Sequence, residues 1–156
     1  MLQITAYDDA RHRDEVIALW RTVFAYTQPH NQPALAIDRK LAVDDGLFFV
    51  ALRGGAVVGT VMAGYDGHRG WLYAVAVPPT HQRQGIGAAL ARHAEAALAA
   101  RGCLKINLQI TGGNEAVAGF YEALGYRVEP RVSMGKLIPP PSGSQAPQFD
   151  QIERFD

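Results

Sequence analysis

One stretch concentrates groups that could hold an anion. It runs Val75-Ala76-Val77-Pro78-Pro79-Thr80-His81-Gln82-Arg83-Gln84-Gly85-Ile86-Gly87-Ala88. An apolar strand ends at Val77, two prolines break it, and a helix opens with glycines at positions 85 and 87. The first turn of a helix carries N–H groups with no partner inside it, and the macrodipole adds about half a positive charge there. Glycine lets a ligand approach that backbone without meeting a Cβ. Together these features make a phosphate cradle. The competing reading is a tight loop with solvated arginines. Charge favours the cradle: the 28 residues from Gly67 to Ala94 include Arg69, Arg83, Arg92 and three histidines, and no Asp or Glu. A Walker loop needs Gly-Lys-Ser/Thr, which this stretch lacks. A dinucleotide fingerprint needs a third small residue where Leu90 stands and an acid roughly 20 residues on, where the chain offers Lys105, Asn107 and Gln109.

Tyr121 is the second chemical candidate. A phenol with a pKa of ~10 stays protonated at neutral pH and can protonate a leaving group. Asn114 lies seven residues before it, two helical turns, so the spacing predicts a shared face. Both also have structural readings, since Val117, Tyr121 and Leu124 form a packing stripe and Asn114 suits a helix cap.

These groups need a frame. Leu2 to Ala6 reads as a strand, and Asp8 or Asp9 as the cap of a helix whose Val16, Leu19, Trp20 and Val23 recur at helical spacing. Tyr26 to Pro33 is a loop, and Ala34 to Val43 a second helix. Leu47 to Leu52, Val57 to Tyr65 and Trp71 to Val77 read as strands joined by Gly54-Gly55 and Asp66-Gly67 turns. Gly85 to Ala100 is a helix with Ile86, Leu90, Ala94 and Ala97 on one stripe, stopped by Gly102. Cys103 to Thr111 alternates as a strand, Asn114 to Leu124 is a helix, and short strands are expected from Tyr126 to Ile138. Strands mixed with helices place the chain in the α/β or α+β class around one sheet.

The whole chain has 156 residues, 48% apolar and 19% charged, which suits one domain able to bury about two-thirds of its surface. Residues 139–156 are Pro/Ser/Gly/Gln-rich and read as a tail after a domain over 1–138. Phe149, Ile152 and Phe155 could anchor that tail on its own domain or on a neighbouring subunit, the latter making a homodimer. The single cysteine, Cys103, excludes a disulfide framework and a Cys-cluster zinc site, and no metal is expected. Fifteen basic and fifteen acidic residues cancel, which argues against a nucleic-acid partner. No apolar run approaches the ~18 residues of a membrane span, and the first residues lack signal-peptide order, so a cytoplasmic protein is expected.

Two motifs carry a family resemblance. Gln82-x-x-Gly85-x-Gly87, directly after a strand, resembles the Gln/Arg-x-x-Gly-x-Gly/Ala signature of the GNAT N-acetyltransferases. The run from Asn114 through Tyr121 to Gly125-Tyr126 resembles that family's Asn-x₆-Tyr-x₃-Gly-aromatic segment, about 30 residues further on. The resemblance spans roughly residues 2 to 138. More narrowly, Gly59-Thr60-Val61-Met62-Ala63-Gly64-Tyr65-Asp66-Gly67-His68-Arg69-Gly70 is similar to the bacterial YpeA-type subgroup.

The resemblance implies a mixed, mostly antiparallel central sheet flanked by about four helices, with acetyl-CoA as donor. The strands ending at Val77 and starting at Cys103 would splay around the cofactor. Backbone groups of Val75 and Val77 would meet the pantetheine amides, and Gln82, Arg83, Gln84, Gly85, Ile86, Gly87 and Ala88 would hold the pyrophosphate. Asn114 would touch the cofactor, and Tyr121 would protonate the departing thiolate. The acceptor would be a primary amine on a small molecule or a protein, acetylated directly in a ternary complex. A backbone N–H near Val75 to Val77 would polarise the thioester carbonyl. The strand from Trp71 to Val77 lacks the Glu that many members place there, so the general base is Asp66 or a water held by Tyr73, Asn107 or Gln109. That gap also leaves a non-catalytic acyl-CoA-binding sensor or scaffold as the alternative. His68 and Arg69 read as a solvated hairpin tip, His30 and Asn31 as a polar loop, His93 as a half-buried helix residue and Cys103 as a small packing residue.

Overall fold

Asp8 is in extended backbone and its carboxylate accepts the Arg11 N–H at 3.2 Å, so the capping position starts the first helix where the sequence expects it. The computed structural model describes residues 1–24 and 32–141. Contacts divide the chain into two units, Met1–Ala25 with Pro33–Gln109, and Tyr26–Gln32 with Ile110–Asp156.

The first unit holds β1 (Leu2–Ala6), α1 (Asp9–Val23), α2 (Pro33–Val43), β2 (Phe48–Arg53), β3 (Ala56–Tyr65), β4 (Gly70–Ala76), α3 (Ile86–Ala100) and β5 (Ile106–Leu108). The sheet runs β1-β2-β3-β4-β5. Its first three pairings are antiparallel and β4 pairs β5 in parallel. The sheet is therefore mixed and mostly antiparallel, as expected. Val16, Leu19 and Trp20 of α1 and Ile86, Leu90, Ala94 and Leu98 of α3 supply its buried contacts, with Val50, Ala51, Val61 and Ala63 from the central strands. Each apolar stripe has helical spacing, so one face of each helix loses its water on folding.

Two features of β4 matter later. Thr60 pairs Ala76 and Met62 pairs Tyr73, so Ala74 and Val75 stand together opposite Val61 as a bulge. Ala74 there has φ 50°, the left-handed region that a residue with a Cβ seldom adopts.

The fifth strand is shorter than its alternation predicts. Pairing covers only Gly70↔Ile106, Trp71↔Asn107 and Leu72↔Leu108. The chain leaves α3 through Gly102 at φ 89°, and Cys103 N–H returns to Leu98 O. Leu104 is thereby left in solvent, off the strand it was expected to join.

The second unit contains a 3-10 turn at Glu115–Val117 and the short helix α4 (Ala118–Ala123). The single helix expected over 114–124 is thus split. Among the described residues no strand forms between 126 and 138, where short strands were expected, and Val128, Val132, Met134 and Ile138 are exposed. The loop segment 25–31, with His30 and Asn31, and the tail anchors Phe149, Ile152 and Phe155 lie outside the described residues.

Candidate active site

The expected cradle is built by backbone. After Val77 the chain makes a 3-10 turn at Pro79–His81, and His81 N–H bonds Pro78 O at 2.9 Å. The Gln82 side chain turns back and donates from Nε2 to Val77 O at 3.2 Å. Arg83 (φ 63°) and Gly85 (φ 79°) are both left-handed, which reverses the chain into α3 within three residues. Gly85 is the N-cap and has no side chain to cap the helix. The first helical bond is Ala89 N–H to Gly85 O at 3.0 Å. The N–H groups of Ile86, Gly87 and Ala88 precede it and have no acceptor within the helix. Gly85 is exposed, Gly87 and Ala88 are half-buried, and only Ile86 is buried. A bare, open first turn with no acidic side chain fits an anionic diphosphate.

One contributor was not legible in the sequence. Arg53, at the end of β2, donates from Nη1 to Gln84 Oε1. The loop is therefore braced by a cation 31 positions earlier in the chain. Nothing in the local run Leu52-Arg53-Gly54-Gly55 signals that contact.

Close packing sets where the helix begins. A Cβ on Gly59 of β3 would lie 3.1 Å from Ile86 Cγ2, so α3 sits against β3 at its first residue. On the other edge of β4, pairing with β5 stops at Leu72, and β4 continues through the half-buried Val75 toward Val77 without a ladder partner there. The first unit thus brings Val75, Val77 and Gln82 to Ala88 onto one strand-loop-helix run.

In the second unit Tyr121 is 9% exposed, with edge-on rings from Phe120 and Tyr126 at 4.8 and 5.8 Å. Burial pushes its phenol above the ordinary pKa. Asn114 is exposed, with no side-chain cap bond. The neighbouring Glu115 carboxylate accepts the Gly113 N–H at 3.0 Å. A 3-10 turn at Glu115–Val117 stands between Asn114 and the helix that carries Tyr121.

Among the remaining candidates, Asp66 accepts the N–H groups of His68 and Arg69 at 2.8 and 2.7 Å. The Arg69 N–H, then the His68 N–H, hold its carboxyl below the usual range, which makes it a weak base. Tyr73 is exposed, and the Lys40 ammonium lies 5.3 Å from its ring centre. Asn107 pairs with Trp71 in the sheet. His93, expected half-buried, is exposed and meets Phe49 edge-on at 4.6 Å. Among the described residues no group of three or more His, Cys, Asp or Glu is placed to hold a metal, and no helix is long and apolar enough to cross a membrane.

Comparison with known proteins agrees with this architecture. The family model described as "Acetyltransferase (GNAT) family" matches residues 13–126. An acetyltransferase of Sodalis glossinidius is 47% identical over 131 residues, covering 82% of this chain and 92% of that protein. One from Yersinia enterocolitica is 44% identical over 125 residues, covering 80% and 88%. In fold, the chain is similar to a PaiA N-acetyltransferase from Thermoplasma acidophilum in complex with coenzyme A, with TM-score 0.74 at 16% identity, covering 85% and 93%. It is also similar to AAC(6')-Iy in complex with a bisubstrate analogue, CoA-S-monomethyl-acetylneamine, with TM-score 0.70 at 17% identity, covering 88% and 99%. The chain belongs to the GNAT family of acetyltransferases, and it is an enzyme of acetyl transfer.

Proposed function

We propose that the enzyme moves the acetyl group of acetyl-CoA directly onto a primary amine in a ternary complex. The observation that carries this reading is the uncapped first turn of α3, whose open amides suit the diphosphate of coenzyme A. Gln82, Arg83, Gln84, Gly85, Ile86, Gly87 and Ala88 form the diphosphate grip, and Val75 and Val77 take the pantetheine along the unpaired edge of β4. Asn114 is retained as a cofactor contact only through the family motif. A fold neighbour held with the bisubstrate analogue CoA-S-monomethyl-acetylneamine supports an amine acceptor. The subgroup resemblance of Gly59 to Gly70 belongs to the same reading, as does a catalytic domain over 1–138 with a tail over 139–156.

The amine nitrogen attacks the thioester carbon, the C–S bond breaks, and the thiolate accepts a proton. Tyr121 supplies that proton, because a buried phenol stays protonated well above neutral pH. A backbone N–H of β4, at Val75, polarises the carbonyl as negative charge develops on its oxygen. Water carries off the amine proton, since Asp66 is committed to its turn.

Calorimetry with acetyl-CoA, followed by thiol release with a panel of primary amines including aminoglycosides and N-terminal peptides, tests the reading. Saturable binding and turnover on at least one amine are expected. Acetyl-CoA binding with no turnover on any amine would reject the amine acceptor.

A further inference from the structure

A chain of two hydrogen bonds, the first buried and the second part-buried, runs from α1 to the bulge of β4. Trp20 Nε1 lies 2.9 Å from Thr60 Oγ1, and Thr60 Oγ1 lies 2.9 Å from Ala74 O. Thr60 is fully buried and Trp20 is 2% exposed. The direction of the chain is forced. An indole N–H can only donate, so the threonine oxygen accepts it and must send its own proton to the Ala74 carbonyl. These two partners give the hydroxyl one orientation.

This fixes a peptide plane. The Ala74–Val75 bond is trans, so the Val75 N–H points opposite to the Ala74 C=O. With the carbonyl drawn to Thr60, the Val75 N–H is turned away from it. Val61, the β3 residue opposite the bulge, offers that N–H no acceptor. Ala63 N–H bonds Leu47 O beside β2, and peptide groups alternate along a strand. Val61, the residue opposite the bulge, therefore also presents its peptide groups to β2. On the β5 side the ladder has already ended at Leu72. The left-handed Ala74 is what this arrangement costs in backbone conformation, and the Thr60 bond offsets it.

We infer that Thr60, oriented by Trp20, is a positioning residue that aims the Val75 N–H at the thioester carbonyl of acetyl-CoA. The inference rests on the proposed function and adds to it the side chains that hold the donor. Neither side chain touches the substrate. Their hydroxyl and indole act only through the Ala74–Val75 peptide.

Infrared difference spectroscopy with acetyl-CoA carrying carbon-13 at the thioester carbonyl reads the hydrogen bond without needing an acceptor. Binding to the native enzyme should lower the carbonyl stretching frequency relative to free acetyl-CoA. Thr60→Ser keeps the hydroxyl and should keep the downshift. Thr60→Val is nearly isosteric and should lose it, while the affinity for free CoA, which has no thioester, stays within about twofold by the arithmetic of unperturbed contacts. Trp20→Phe removes the donor to Thr60 together with part of a buried ring and should broaden the band and reduce its shift; it carries the test where Thr60→Val does not fold. A downshift equal to the native one in Thr60→Val or Trp20→Phe overturns the inference. A native enzyme that binds acetyl-CoA with no downshift also overturns it and leaves the proposed function standing. A native enzyme that binds no acetyl-CoA removes both.

Discussion

Gly59 of β3 and Leu90 of α3 meet so closely that a Cβ on the glycine would lie 2.8 Å from Leu90 Cδ1. Leu90 is fully buried, and the same Cβ would also meet Ile86 Cγ2 at 3.1 Å and Ala76 O at 3.2 Å, so the leucine cannot swing clear. Contact at this glycine therefore sets the position of α3 and of the amides at its start. Gly59→Ala should cost about 1–3 kcal/mol as overpacking. It should also weaken acetyl-CoA binding, because relief requires α3 to move. Thermal denaturation and calorimetry check both, and native affinity in a destabilised variant would mean that the helix start does not grip the cofactor.

Gly87→Asp separates binding from folding. Gly87 lies in the first turn of α3, where a carboxylate favours the helix dipole by about 0.3–1 kcal/mol. Replacing a helical glycine also removes chain freedom in the unfolded state. The melting temperature should hold or rise while acetyl-CoA binding is lost to repulsion between the new carboxylate and the diphosphate. Undiminished binding by calorimetry would move the diphosphate elsewhere.

Tyr121→Phe should lower turnover by about 10²–10⁴-fold, the usual span for a general acid, with cofactor affinity nearly unchanged. Burial also gives the phenol a pH signature. Its folded pKa is raised, so the folded chain keeps a proton that the unfolded chain loses once the pH passes the ordinary tyrosine value of ~10. Stability should be intact below that pH and fall as it rises further. Tyr7 acts in the same direction, raised first by burial and then by its 2.7 Å bond to Asp9. Denaturant titrations across the alkaline range, on native and Tyr121→Phe chains, should show a shallower alkaline loss in the variant. An identical loss would mean that Tyr121 is not protected from ionising.

Asp66→Asn should leave turnover within about twofold, since the general base would otherwise contribute on the order of 10²-fold or more. The carboxylate is occupied by the His68 and Arg69 N–H groups, and its lowered pKa keeps it ionised and weakly basic. A fall of two orders of magnitude, measured by thiol release, would make Asp66 the missing base.

What could be read from sequence was what depends on neighbours along the chain. The α3 stripe, the Asp8 cap and the hairpin turns at Gly54-Gly55 and Asp66-Gly67 all arise within a few residues, and their types declare them. The loop between Val77 and Ile86 was legible for the same reason. The supports of the site were not. Trp20 reaches Thr60 across 40 positions and Arg53 reaches Gln84 across 31, and no local pattern encodes such a meeting. Ala74 in the left-handed region is invisible too, because alanine gives no sign of a conformation that glycine or asparagine would advertise. Alternation overstated β5: Leu104 has the right type for its place, but pairing begins only at Ile106. The helix expected from Asn114 opens instead as a 3-10 turn over Glu115–Val117, with no side-chain cap bond from Asn114.

Amide chemical shifts during titration with coenzyme A test the central claim most directly, because they read each backbone N–H in the intact enzyme. Binding through the start of α3 predicts that the resonances of Ile86, Gly87 and Ala88 move furthest and saturate together with the calorimetric isotherm. Saturable binding that leaves those three amides unmoved, with the largest changes in another part of the chain, would contradict the account.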